Sequence, residues 1–171
     1  MKDRCSMLNL CECGEQVTAM RGDYLFLESG LDNVMLRGVK LLKCNKCGSV
    51  APVLSKINEL MRVITAAVIL QPSPLTGKQI RYLRKYIGLT GEQFGKKLGL
   101  TKEHVSRLET EKHTVGEQTE RLIRYLAIST DADLQRTITQ LFARLDNIKE
   151  EPQPERIEVN LANGSFRYAA A

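Results

Sequence analysis

The residues of this chain best suited to chemistry are its cysteines. All five, Cys5, Cys11, Cys13, Cys44 and Cys47, fall within the first 47 residues. Cys44-Asn-Lys-Cys47-Gly48 is a Cys-x-x-Cys-Gly knuckle. The chain turns between the two thiolates so that both reach one ion, and the glycine that follows supplies the positive φ that closes the turn. Cys11-Glu-Cys13-Gly14 ends in the same way but has its first cysteine one residue closer. Side chains at i and i+2 of a regular strand share a face, so Cys11 and Cys13 meet one ion only where the backbone bends. Cys5 is the alternative fourth ligand. Four thiolates are the ligand set of a structural Zn²⁺ and leave no open position for a reactive water. No nucleophile–base pair or carboxylate dyad has a supporting motif, so the sequence points away from an enzyme.

The elements that must hold these thiols are short and β-rich. Tyr24-Leu25-Phe26-Leu27 forms one run, with Val34-Met35-Leu36 and Val39-Lys40-Leu41-Leu42 as others, separated by turn-forming Gly, Asn and Asp. A β unit of this size buries too little apolar surface to fold unaided. A bound Zn²⁺, worth about 10–16 kcal/mol in model peptides, makes up the difference. Residues 1–54 are therefore read as a zinc-binding module.

Composition limits what else the chain can be. Its 171 residues are 43% hydrophobic and 26% charged, which fits a folded, water-soluble protein of one ordinary or two small domains. Aromatic residues make up 5% and tryptophan is absent, so the cores are aliphatic. The N-terminus lacks the apolar stretch of a signal peptide, and the longest apolar run, 63–70, is too short to span a bilayer. A cytoplasmic location is expected, where thiols stay reduced and cysteine clusters bind metal. The net charge of +5 is unevenly spread. Residues 75–130 carry eleven basic against six acidic side chains, whereas 131–171 carry five against seven. A positive field concentrated in one stretch suits a polyanionic partner.

From residue 55 the apolar period lengthens to that of helices. Ser55 is positioned to cap a helix bearing Ile57, Leu60, Met61, Ile64 and Val68, and Gln71-Pro-Ser-Pro74 ends it. Residues 55–74 thus read as a connecting helix and linker. Next come Ile80, Leu83 and Ile87 on one helix face, with Arg81, Arg84 and Lys85 read as ordinary exposed charges. Thr90-Gly-Glu-Gln93 is a capping box that opens a short helix with Phe94 and Leu98 inward. Gly99 ends it, and Thr101 caps another from Lys102 to Glu109 with Val105 and Leu108 inward. Thr114-x-x-Glu117 is a second capping box, before Leu122, Ile123 and Leu126. Two short helices joined by a glycine turn and flanked by longer ones describe a helix-turn-helix. Lys102, Glu103, Ser106 and Arg107 lie opposite Val105 and Leu108, where such a helix meets base edges. Arg107 can bond guanine O6 and N7, and Glu103 can accept from cytosine N4. Thr101, His104, Lys112, His113 and Thr114 suit phosphate contacts.

Residues 83–109, Leu83-Arg-Lys-Tyr-Ile through Val105-Ser-Arg-Leu-Glu109, resemble a Cro/lambda-repressor-type helix-turn-helix. Joined to Cys11-Glu-Cys13-Gly14 and Cys44-Asn-Lys-Cys47-Gly48 through the bridging stretch 74–90, PLTGKQIRYLRKYIGLT, the pattern is similar to the YgiT/MqsA family of zinc-finger/helix-turn-helix antitoxins, over about residues 8–128. Cys11 is displaced from that family's usual Cys-x-x-Cys, Glu111 stands where such domains often carry a loop glycine, and Gly91 where many carry Gln. The resemblance implies a homodimer that represses its own operon at a palindromic double-stranded operator. It also implies a zinc module that engages a protein toxin. A stand-alone or phage-type regulator with a structural zinc, or an interaction protein without DNA function, are the alternatives.

The expected architecture is α+β and multidomain. The β-rich zinc module precedes an all-α domain of about five helices over 75–148, in which residues 131–148 form an amphipathic helix with a share in dimerisation. Residues 149–171 are read as a linker and a candidate β-hairpin. Asn163-Gly164 is a strong turn signal, and a two-residue turn there sets Leu161 opposite Phe166, Val159 opposite Tyr168 and Ile157 opposite Ala170.

Overall fold

A computed structural model of the chain describes residues 10–138 and 156–169. It is an α+β structure with one mixed five-stranded sheet and, among the described residues, six α-helices. No described helix is long and apolar enough to cross a membrane.

The sheet is built around β2 (Val34–Cys44), which runs antiparallel to β1 (Val17–Leu25). The two runs expected as separate strands form a single strand with a bulge. Gly22 pairs with Val39 and Tyr24 with Leu36, so Asp23 faces both Arg37 and Gly38. Gly38 takes φ 63°, which such a two-against-one step favours. The extra residue resets the alternation: Val34 and Leu36 are buried before it, Val39 and Leu41 after it. Asp23 ties the bulge down by accepting from the Gly38 N–H (3.0 Å) and from Arg37. The Tyr24–Leu27 run is a strand only as far as Leu25, since Leu27–Ser29 turns as a 3-10 helix.

Along its other edge β2 has two neighbours. β3 (Val50–Pro52) pairs antiparallel with Leu41–Lys43. β4 (Arg156–Asn160) pairs parallel with Val34–Arg37, and β5 (Ser165–Ala169) completes the sheet. The candidate hairpin is therefore present, and it packs against the sheet of the cysteine-bearing strands. Its register is two residues from the one expected: Val159 faces Phe166 and Ile157 faces Tyr168, around a four-residue loop, Leu161 to Gly164. Asn160 Oδ1 accepts from the Ala162 N–H and Asn163 Oδ1 from the Ser165 N–H, which stabilises the longer loop. A shift of two keeps every side chain on its face, so the apolar side still points inward.

That side rests on α1 (Ile57–Leu70). Seven consecutive residues, Ile64 to Leu70, are buried, so the second half of this helix is covered all round. The sheet lies on one side, with Tyr168 donating to the Ala67 carbonyl (2.6 Å). On the other side lie α2 (Gly77–Tyr86), α5 (Glu117–Ser129) and α6 (Ala132–Ile138). Ser55 does not cap α1. Its N-cap is Lys56, without a side-chain bond, because the Val53 N–H still bonds Lys40 O and holds the preceding chain to the sheet.

The Gln71–Pro74 segment is packed inside: Gln71 and Ser73 are buried, and Arg124 explains how. This guanidinium, fully buried, donates to the carbonyls of Ile69, Gln71 (2.9 Å) and Ser73 (2.8 Å) and pairs with Glu120 (2.6 Å). It satisfies the carbonyls left without partners where prolines stop the helix. Desolvation lowers the Arg124 pKa, and Glu120 acts against that shift. Glu120 also accepts from the Leu75 N–H (3.1 Å), which fixes the first turn of α5. Helix α5 therefore starts at Glu117 behind an N-cap at Gly116, and the expected Thr114–Glu117 capping box does not form; Glu117 pairs with Arg121 instead. Leu134 of α6 is buried, while residues 139–148 of the expected 131–148 helix lie outside the described residues.

Replacing Arg124 with Ala leaves Glu120 buried without its counter-charge, and urea unfolding is expected to show a loss of about 3–5 kcal/mol. A loss below about 1 kcal/mol, the scale of an exposed pair, would contradict this account.

Candidate functional site

The β1–β2 register brings the two cysteine pairs together. Val17, at the start of β1, faces Cys44 at the end of β2, so the loop before one strand meets the loop after the other. In the first loop Leu10 bridges Gln16, the Cys11 N–H bonds Glu15 O and the Gly14 N–H bonds Cys11 O (both 2.8 Å). With Gly14 at φ 83°, this tight turn supplies the bend that the Cys-x-Cys spacing demands. In the second, the Gly48 N–H bonds Cys44 O (3.0 Å) and Gly48 takes φ 72°.

Cys11, Cys13, Cys44 and Cys47 place all four Sγ atoms within 4.8 Å of one another. Cys11 and Cys47 lie 3.4 Å apart, and Cys13 and Cys44 3.5 Å. A tetrahedral ion with metal–sulfur bonds of about 2.3 Å needs sulfur–sulfur edges of about 3.8 Å. The donor set and its size fit one thiolate-bound metal ion. Cys11 and Cys44 are buried while Cys13 and Cys47 are exposed, so the site sits at the rim of the sheet. Cys5 lies outside the described residues.

Protonation in the cluster supports the same reading. Ser49, through its hydroxyl (3.2 Å from Cys47 Sγ) and its backbone N–H, stabilises the Cys47 thiolate and brings its pKa down to about 6. The Glu15 N–H favours the Cys13 thiolate, but the Cys44 thiol, burial and the two other thiols outweigh it and push Cys13 up to about 11. Four thiols this close cannot all ionise without a cation between them, and a bound metal ion would take the place of the shared protons. Ser49 is a contributor the sequence reading missed; its position two residues after Cys47 was the available signal.

The helical surface is built by different means. Helix α3 (Gly91–Leu98) is capped at Thr90, with the reciprocal Gln93 bond in place. It ends at Gly99, φ 70°, and α4 (Lys102–Glu109) starts at once behind Thr101, which accepts from the His104 N–H. The turn is tight enough that a Cβ on Gly95 would come 2.5 Å from Leu100 O, so glycine is required there by close backbone approach. Phe94, Val105 and Leu108 are buried beneath the pair.

Thr101, Lys102, Glu103, His104, Ser106, Arg107, Lys112, His113 and Thr114 are all exposed. The structure gathers several of them. The N–H groups of Lys112 and His113 both bond Arg107 O, so the chain after α4 folds back along it, and the rings of His104 and His113 stack at 5.7 Å. Arg84, expected as an ordinary exposed charge, is instead largely buried and grips Glu109 at the end of α4 through two bonds, 2.5 and 3.0 Å. It follows Ile80 by four residues, which places it on the apolar face of α2.

No family model matches this chain, and neither a curated protein nor a solved structure matches it.

Elemental analysis of protein purified without chelators is expected to find one divalent metal ion per chain, and Cys44→Ser to abolish it. Wild-type protein that stays folded and metal-free would contradict the assignment of the cluster.

Proposed function

We propose that this protein is a zinc-containing, sequence-specific DNA-binding repressor. The observation that carries the reading is the α3–α4 pair. Two short helices meet through a glycine turn too tight for a Cβ at Gly95. The second presents Lys102, Glu103, Ser106 and Arg107 away from Val105 and Leu108. This arrangement supports reading the pair as a helix-turn-helix, in which the N-terminal half of the second helix enters the major groove. The composition of that surface supports the same role. Lys102, Arg107 and Lys112 have no ion-pair partner among the described residues, whereas Arg84, Lys96, Arg121 and Arg124 are paired. Unpaired, exposed cations are free to displace counterions from phosphates. Thr101, His104, His113 and Thr114 flank them as phosphate contacts.

In this reading the metal is Zn²⁺, since four thiolates in a closed set suit it and leave no vacancy for catalysis. The ion's part is structural: it holds the open end of the β1–β2 pair, where few apolar side chains are buried. The protein acts as a homodimer on a palindromic operator, because a single helix reads too few bases. Resemblance to the YgiT/MqsA family supports the further step that it is an antitoxin. The metal-bearing sheet then engages a protein toxin while the helical region represses their shared promoter. A toxin-like product of the adjacent gene whose growth arrest is relieved by this protein would support that step; a chain that relieves no neighbour's toxicity is a stand-alone regulator.

Binding to the protein's own upstream duplex is expected to weaken by about a thousandfold or more as salt rises from low to moderate concentration. Complete absence of binding at low salt would refute the DNA reading. Arg107→Ala is expected to cost about 1–3 kcal/mol at the cognate site and to lower the cognate-to-random ratio. An unchanged ratio would remove Arg107 from base reading.

A further inference from the structure

Among the described residues Glu111 is the one non-glycine with positive φ, at 58°. L side chains rarely adopt this conformation, and where they persist in it the surroundings hold them there. A glycine would meet the backbone requirement without strain. The question is what the glutamate side chain adds.

Its surroundings answer. The Glu111 N–H bonds Leu108 O (3.1 Å) and closes the last turn of α4. Its carboxylate Oε1 then accepts from the Gly77 N–H (3.0 Å), one of the donors that the first turn of α2 leaves without an internal partner. The two helices touch at this point: a Cβ on Gly77 would lie 2.7 Å from Leu108 O, from Glu109 O and from Glu111 Cγ. The negative end of α4, with an added carboxylate, meets the positive end of α2. After Glu111 the chain folds back, which brings the Lys112 and His113 N–H groups to Arg107 O and the His113 ring onto His104.

We propose that Glu111 is a positioning residue: it fixes the end of α4 on the start of α2 and thereby sets the aim of the α4 side chains and of Lys112 and His113. The DNA consequence rests on the reading given above; the fixing of α4 does not. Glu111 never touches a base. It acts through the helix it anchors, alongside the Arg84–Glu109 pair that also joins α2 to the end of α4.

Two variants of the full chain separate the side chain from the backbone. Glu111→Gly keeps the left-handed conformation and removes the carboxylate; Glu111→Gln keeps an acceptor oxygen and the strain. Glu111→Gly is expected to melt within a few degrees of wild type, because relief of strain and added unfolded-state entropy oppose each other. Its α4 amides are expected to exchange hydrogen faster. Its affinity for the upstream duplex is expected to fall by about tenfold, with a lower cognate-to-random ratio. Glu111→Gln should stay within about threefold of wild type in binding. Unchanged α4 exchange in Glu111→Gly would overturn the proposal, as would a Glu111→Gln variant impaired as severely as Glu111→Gly. If wild-type protein binds no duplex, the DNA reading falls on that result, and the exchange measurement alone decides whether Glu111 holds α4.

Discussion

The structure depends on the complete burial of the second half of α1, Ile64 to Leu70. A helix with Ile64 to Leu70 all hidden cannot lie on a surface; it needs a layer on each side. The sheet supplies one and the remaining helices the other. Its polar groups must then be satisfied without water. Thr65 Oγ1 bonds Met61 O and lies 2.9 Å from Tyr82 Oη, while the side-chain amides of Gln71 and Gln79 bond each other in both directions. Arg124 takes the carbonyls at the helix end. The Thr65–Tyr82 and Gln71–Gln79 bonds tie α1 and the segment after it to α2, and the Arg124 bonds tie them to α5, so the wall between the cysteine-bearing sheet and the helices is cross-linked on its helical side.

Much of this was legible in the sequence, for reasons that can be named. Helix ends set by local chemistry were read correctly: Thr90 with Gln93, the left-handed Gly99, and Thr101 depend on neighbours within a few residues. The cysteine cluster was legible because metal geometry dictates ligand type and spacing whatever the surrounding fold. Helix starts set by distant partners were misread. Thr114 and Glu117 have the spacing of a capping box, but Glu120 is held by the Leu75 N–H from far away in the chain. The β2 bulge was hidden for a related reason. A step of three between Leu36 and Val39 looks like a break between strands until Asp23 on the partner strand is known to fill it.

Charged residues were the hardest to place. Arg84 read as solvent-facing because most arginines are, yet it is largely enclosed beside Glu109, a carboxylate that periodicity alone cannot locate. Glu158 is similar. On β4 it points to the polar face of the sheet, where Arg37 and Arg167 flank it and lower its pKa. That trio joins the centre of β2 to the C-terminal hairpin across the parallel seam. Composition placed the hairpin behind a linker as a separate tail, whereas pairing and charge make it part of the sheet.

The parallel seam between β2 and β4 has a consequence for biosynthesis. Val34 pairs with Ile157, and every α-helix among the described residues lies between them. As the polypeptide leaves the ribosome, Val34 and Leu36 wait for strands made after all of the described helices. Contacts so far apart in the chain form slowly and leave apolar surface uncovered meanwhile. The helical half, whose contacts are mostly local, can mature first and hold α1 ready for the arriving hairpin. Newly made chains are thus most exposed to chaperones and proteases in the interval before the last strand docks.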